Sequence, residues 1–79
     1  MNYTLLYFAS LREAAGRASE QVVSGARDPH ALYVEVATRN RFAFAPEHLR
    51  VAVNGEFAPW NRTLADGDEI AFLPPVSGG

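Results

Sequence analysis

The stretch that leaves this chain least choice is Tyr3-Thr4-Leu5-Leu6-Tyr7-Phe8. It has the length of a β-strand, yet it lacks the polar face that a solvated strand keeps. Alternation puts Tyr3, Leu5 and Tyr7 on one side and Thr4, Leu6 and Phe8 on the other. Such a strand is buried on both faces or covered on one of them by a partner, and Thr4 marks the second side as the more peripheral. The chain has 79 residues, enough for one domain. A domain of this size hides only about 60% of the surface its unfolded chain exposes, so whatever packs on this strand forms a thin core.

The remaining segments supply the partners. Ser10-Leu11-Arg12-Glu13 reads as a capping box, with Ser10 accepting from a first-turn amide and Glu13 reaching back. The short helix it opens stops at Gly16 and turns Leu11, Ala14 and Ala15 inward. Ser19 to Val23 is a second strand, and residues 24–27 form a turn. Asp28 as N-cap and Pro29 at the first helical position open the main helix. Leu32, Tyr33, Val36, Ala37 and Asn40 share one of its faces. After a loop over residues 42–48, Leu49 to Asn54 alternates, with Leu49, Val51 and Val53 inward and Arg50, Ala52 and Asn54 outward. Asn54-Gly55 is a strong hairpin signal, returning through Glu56 to Ala58. A connector, 59–64, and the Asp66-Gly67-Asp68 turn lead into the last strand, Glu69 to Leu73. The order strand, helix, strand, helix, hairpin, strand predicts an α+β fold of the β-grasp (ubiquitin-like) type. It has a mixed sheet of about five strands, one main helix and one short one, and the first and last strands form the central parallel pair.

Composition removes several functions. There is no cysteine, hence no disulfide, thiolate nucleophile or thiolate metal site. A net charge of -2 argues against nucleic acid as a partner. No apolar run approaches the ~20 residues of a membrane span, and no charged-then-apolar leader precedes the first strand, so the expected setting is cytoplasmic. His30 and His48 are read as a first-turn helix residue and a loop residue, outside any ligand cluster. Asp66, Asp68 and Glu69 lack the other ligands of a calcium loop and are read as turn formers. All seven basic residues are arginine. Apart from its N-terminal amine, the chain holds no amine that could attack its own C-terminus if that end were activated.

A chain end ordinarily frays first. Here a hydrophobic strand runs almost to the end and is followed by Pro74-Pro75-Val76-Ser77-Gly78-Gly79. We expect a domain over 1–74 and a flexible tail over 75–79, with the terminal carboxylate of Gly79 as the reactive group. Gly78 and Gly79 carry no Cβ and suit a narrow channel. Pro74 and Pro75 favour an extended path and reduce the entropy lost on insertion, although a strand terminator explains them equally well.

Tyr7-Phe8-Ala9-Ser10-Leu11-Arg12-Glu13, Val53-Asn54 with its hairpin, Leu64 to Phe72, and above all Leu73-Pro74-Pro75-Val76-Ser77-Gly78-Gly79 resemble the small subunit of molybdopterin synthase, the ubiquitin-like sulfur carrier MoaD. The main helix departs from that family's leucine- and alanine-rich run. The resemblance implies that a ubiquitin-activating-like adenylyltransferase, using ATP and magnesium, adenylates Gly79. A persulfide donor then leaves a thiocarboxylate, and the carrier docks on the large subunit and passes sulfur to cyclic pyranopterin monophosphate. Two carriers serve each dithiolene, in an expected assembly of two small and two large subunits. The chain itself binds no cofactor or metal and supplies no catalytic side chain; Val76, Ser77 and the residues flanking them insert into the partners.

Phe8, Leu73 and Leu6 are expected to form the partner-binding surface, with Arg12 as an ion-pair donor at its rim. The opposing possibility is that the 59–64 connector, with Trp60, folds over them. Two other functions stay open: a carrier for another pathway such as thiamine thiazole synthesis, and a ubiquitin-like modifier conjugated to lysines.

Overall fold

The computed structural model describes residues 1–75; Val76, Ser77, Gly78 and Gly79 lie outside the described residues. Five strands, β1 (Asn2–Tyr7), β2 (Ser19–Val23), β3 (Arg50–Val53), β4 (Glu56–Ala58) and β5 (Glu69–Leu73), form one sheet in the order β2-β1-β5-β3-β4. β1 and β5 are parallel, in register from Thr4↔Glu69 to Tyr7↔Phe72, and every other pairing is antiparallel. The two end strands are therefore adjacent and central, as expected of a β-grasp.

The helices are α1 (Ala9–Ala15) and α2 (Pro29–Asn40). Asp28 caps α2 as anticipated, its Oδ1 accepting from the Ala31 amide at 2.8 Å. The helix ends on Arg41 in the left-handed conformation, φ 57°. Leu32, Tyr33 and Val36 pack on Tyr3, Leu5, Tyr7, Val51, Val53, Ile70 and Phe72, which are the inward positions of three adjacent strands. A ring cluster closes this core: Tyr33 lies against Phe72, Phe42 and Trp60. The three tyrosine hydroxyls all donate, to the carbonyls of Ala26 and Phe44 and to the carboxylate of Glu20, so none leaves a buried donor unpaired.

Two local expectations are corrected. α1 does not begin at a Ser10 cap. The amides of Leu11 and Arg12 donate to the Phe8 carbonyl, so Phe8 is the N-cap, without a side-chain bond, and Ser10 already lies in the first turn. Ala9 makes this early entry with φ 49°. Ala14 is exposed, leaving Leu11 and part of Ala15 as the inward face. The 42–48 loop also contains a short 3₁₀ turn, Pro46–His48, that the residue pattern did not announce.

Candidate functional site

Because side chains alternate along a strand, the residues that flank Ile70 and Phe72 leave the core on the opposite face. Leu6 and Phe8 from the β1 side, Ala71 and Leu73 from β5, Ala52 from β3 and Phe57 from β4 line one shallow depression of about 270 Å³ there. Phe8 is 43% exposed and Phe57 64% exposed, although both are large apolar rings. Phe8 and Leu73 also line a second, larger groove of about 740 Å³ with Ala9, Phe44, Pro74 and Pro75. The two depressions thus meet at Phe8 and Leu73, where the last strand hands over to the tail.

Sequence reasoning brings Leu6, Phe8 and Leu73 together, and the structure does the same. It places Pro74 and Pro75 in the adjoining groove. Arg12 lies exposed on α1 and lines neither depression. The cation at the edge of the open face is Arg50: it is the register partner of Leu73, and its guanidinium lies 4.0 Å above the Phe57 ring. Phe57 and Arg50 were not singled out from the sequence. The available signal was the hairpin register, which sets Phe57 opposite the outward Ala52.

The connector does not cover this surface. Trp60 turns to the α2 side, where its ring stacks on Phe72 and meets Tyr33 edge-on. His30 packs edge-on against Trp60, 6.4 Å between centroids, and His48 is exposed in the 3₁₀ turn. Among the described residues no group of three or more potential ligands converges on a metal position. The acidic turn is used internally: Asp68 accepts from the Ala65 amide at 2.8 Å and from Asn54 Nδ2 at 3.0 Å, and Asp66 accepts from the Asn2 amide. These bonds from Ala65 and Asn54, helped by the charge of Arg62, hold the Asp68 carboxyl below its ordinary range against a smaller opposing effect of burial. No helix among the described residues is long and apolar enough to cross a membrane.

The site so defined offers an apolar platform with a strand end at its margin, and among the described side chains no nucleophile–base pair is aimed into it. Residues 5–79 match the ThiS family. The chain is 38% identical over 78 residues to the molybdopterin synthase sulfur carrier subunit of Escherichia coli (strain K12), covering 95% of this chain and 96% of that one. Over 33 residues it is 52% identical to small archaeal modifier protein 1 of Haloferax volcanii, covering 42% of this chain and 38% of the other. The crystal structure of SAMP1 from Haloferax volcanii superposes with a TM-score of 0.81 at 30% identity, covering 100% of both chains.

Proposed function

The chain belongs to the ThiS family, and from that premise we propose that it is the sulfur carrier subunit of a molybdopterin synthase whose working group is the carboxyl of Gly79. The observation that carries this reading is the position of Leu73. It is the last residue of a central strand and a wall of the uncovered apolar face, so the tail starts from the surface on which a partner would sit. Relatives over nearly the whole chain named as sulfur carrier subunits support the pathway.

The division of labour follows from the chemistry. A carboxylate resists nucleophiles, so it must first be joined to a good leaving group. In the proposed sequence the Gly79 carboxylate attacks the α-phosphate of ATP on an adenylyltransferase, with magnesium, and pyrophosphate leaves. A persulfide then displaces AMP to give an acyl disulfide, and a thiol from outside this chain attacks the donor's sulfur, forming a disulfide with it and releasing the thiocarboxylate. The Gly79 sulfur is finally delivered to the pterin precursor in the large subunit. Acid–base groups and phosphate-binding cations belong to the partners. This chain contributes the docking face of Leu6, Phe8 and Leu73 with Arg50 at its margin, Arg12 on α1 as a further ion-pair donor, and a tail of Pro74, Pro75, Val76, Ser77 and Gly78 whose terminal glycines carry no Cβ and suit a water-excluding site. A cytoplasmic setting and a two-by-two assembly with the large subunit are parts of the same proposal.

Deleting Gly79 tests it. In a reconstitution with the activating enzyme, sulfur donor, large subunit and precursor, the deletion variant should keep its melting temperature and its affinity for the large subunit while product formation is lost. Undiminished product would refute the assignment. A second reading, a protein modifier, draws on the likeness to SAMP1. Intact mass from cells separates the two, since a carrier exchanges one oxygen for sulfur and a modifier is found as larger adducts.

A further inference from the structure

We infer that this chain is built as a non-acceptor of its own activated end, so that an electrophilic Gly79 carbonyl passes only to a nucleophile on a different kind of molecule and copies are never joined to one another. The inference rests on the reading of Gly79 given above and adds to it the direction of transfer.

Its basis is the distribution of nucleophiles. The 79 residues hold neither lysine nor cysteine, and each of the seven basic side chains is a guanidinium, which stays protonated and does not attack carbonyls near neutral pH. The substitution matters most at the tail root. Arg50 is exposed and directly opposite Leu73 in the β3–β5 ladder. A lysine there would be tethered to the end of its own tail at an effective concentration of order millimolar. Its amine would attack the carbonyl carbon of Gly79; the N–C bond would form, the bond to the leaving group would break, and the leaving group would depart with the proton the amine gives up. Arg12, exposed on α1, avoids the same reaction. The tyrosine hydroxyls are engaged as donors inside the fold.

One amine remains, that of Met1, and the fold engages it as a donor. The Met1 ammonium donates to the Ser24 carbonyl at 2.8 Å, and the Ser24 amide donates to the Met1 carbonyl at 2.9 Å. The parallel β1–β5 register brings Tyr7 level with Phe72, so Leu73 stands about seven residue steps from Met1, or about 23 Å at roughly 3.3 Å per residue. The chain from Pro74 to Gly79 spans about 22 Å at most when fully extended. Even at full stretch that reach does not exceed the separation.

The test uses the full chain with Gly79 as a thioester of 2-mercaptoethanesulfonate, made by intein thiolysis, held near neutral pH and followed by intact mass and denaturing gels. Wild type should end only as the hydrolysed acid, while an added lysine-containing peptide captures it as a one-to-one amide and so shows that the end is reactive. R50K or R12K should instead form a ring lighter than the acid by one water, or covalently linked copies, about tenfold or more faster than wild type. Self-ligation of wild type at the variants' rate would overturn the inference, as would inertness of both variants while peptide capture proceeds. The thioester is prepared without an activating enzyme, so failure here leaves the carrier reading intact, and failure of the Gly79 deletion test leaves this one intact.

Discussion

The Trp60 indole lies parallel to the Phe72 ring, with centroids 6.1 Å apart and 8° between planes, on the side of the sheet that α2 covers. Phe72 is thereby held from one face, and because strand residues alternate, Leu73 emerges on the other. One step along β5 separates the centre of the core from the margin of the open apolar face. Stability and the proposed recognition are therefore adjacent in sequence yet separable by mutation.

Phe72→Ala should remove a fully buried ring and its contacts with Tyr33 and Trp60, costing about 3–5 kcal/mol in urea unfolding. Trp60→Ala should cost less, because that side chain is only partly buried. Equal losses would mean that the stack, and not Phe72 itself, carries the energy.

Leu73→Glu should do the reverse. The side chain is partly exposed on the open face, so unfolding stability should change by about 1 kcal/mol or less. Binding to the large subunit should weaken at least about tenfold, because a carboxylate would be desolvated in an apolar contact. Titration calorimetry reads this directly, and unchanged affinity would remove Leu73 from the interface.

How much of this was legible beforehand depends on the range of the interaction concerned. The Asn54-Gly55 hairpin and the Asp28 cap follow from turn and cap chemistry confined to a few residues, whereas the β1 and β5 pair, distant in sequence, was legible only through the order of the elements. Tyr33-Val34-Glu35-Val36 is locally strand-like, and its helix was recoverable from the Asp28-Pro29 start and the length of the segment. Ser10 failed as a cap because a sequence pattern does not reveal which carbonyl, here that of Phe8, accepts the first helical bonds. The side on which Trp60 packs depends on a ring cluster assembled from α2, β5 and two loops, which no local window contains. Phe57 is a different case: the hairpin register that sets it opposite Ala52 is local, and only its contact with Arg50 needed the folded ladder.

At acid pH the Asp68 turn should lose stability. Its carboxyl titrates below the ordinary value because the Ala65 amide and Asn54 stabilise the charged form. As pH falls, the unfolded chain takes up the proton before the folded one does. The contribution is therefore complete above an unfolded value of about 4 and is lost as pH drops through the folded value. Asp68→Asn should give a chain whose melting temperature declines less steeply below about pH 4 than that of wild type. Parallel declines would assign the acid response to other carboxylates.

At alkaline pH the relation is inverted, and Tyr7 is the group to watch. Burial raises its pKa well above the ordinary phenol value, and its hydrogen bond to Glu20 Oε1 at 2.8 Å adds to the shift by placing a carboxylate where a phenolate would form. Arg39, which also bonds Glu20, opposes part of this effect. Above about pH 10 the unfolded chain loses the tyrosine proton first, so the folded state holds more protons and stability falls as pH rises. Tyr7→Phe deletes the titrating oxygen but keeps the ring that packs edge-on against Phe42. The variant should lose about 1 kcal/mol at neutral pH with the missing hydrogen bond, and then decline more gently than wild type from pH 10 upward. The decline should not vanish, because Tyr3 and Tyr33 are shifted in the same direction, mainly by burial. Urea midpoints measured at neutral pH and at two values above 10 decide the matter. A variant curve parallel to wild type would show that the Tyr7 proton is not what the alkaline transition releases.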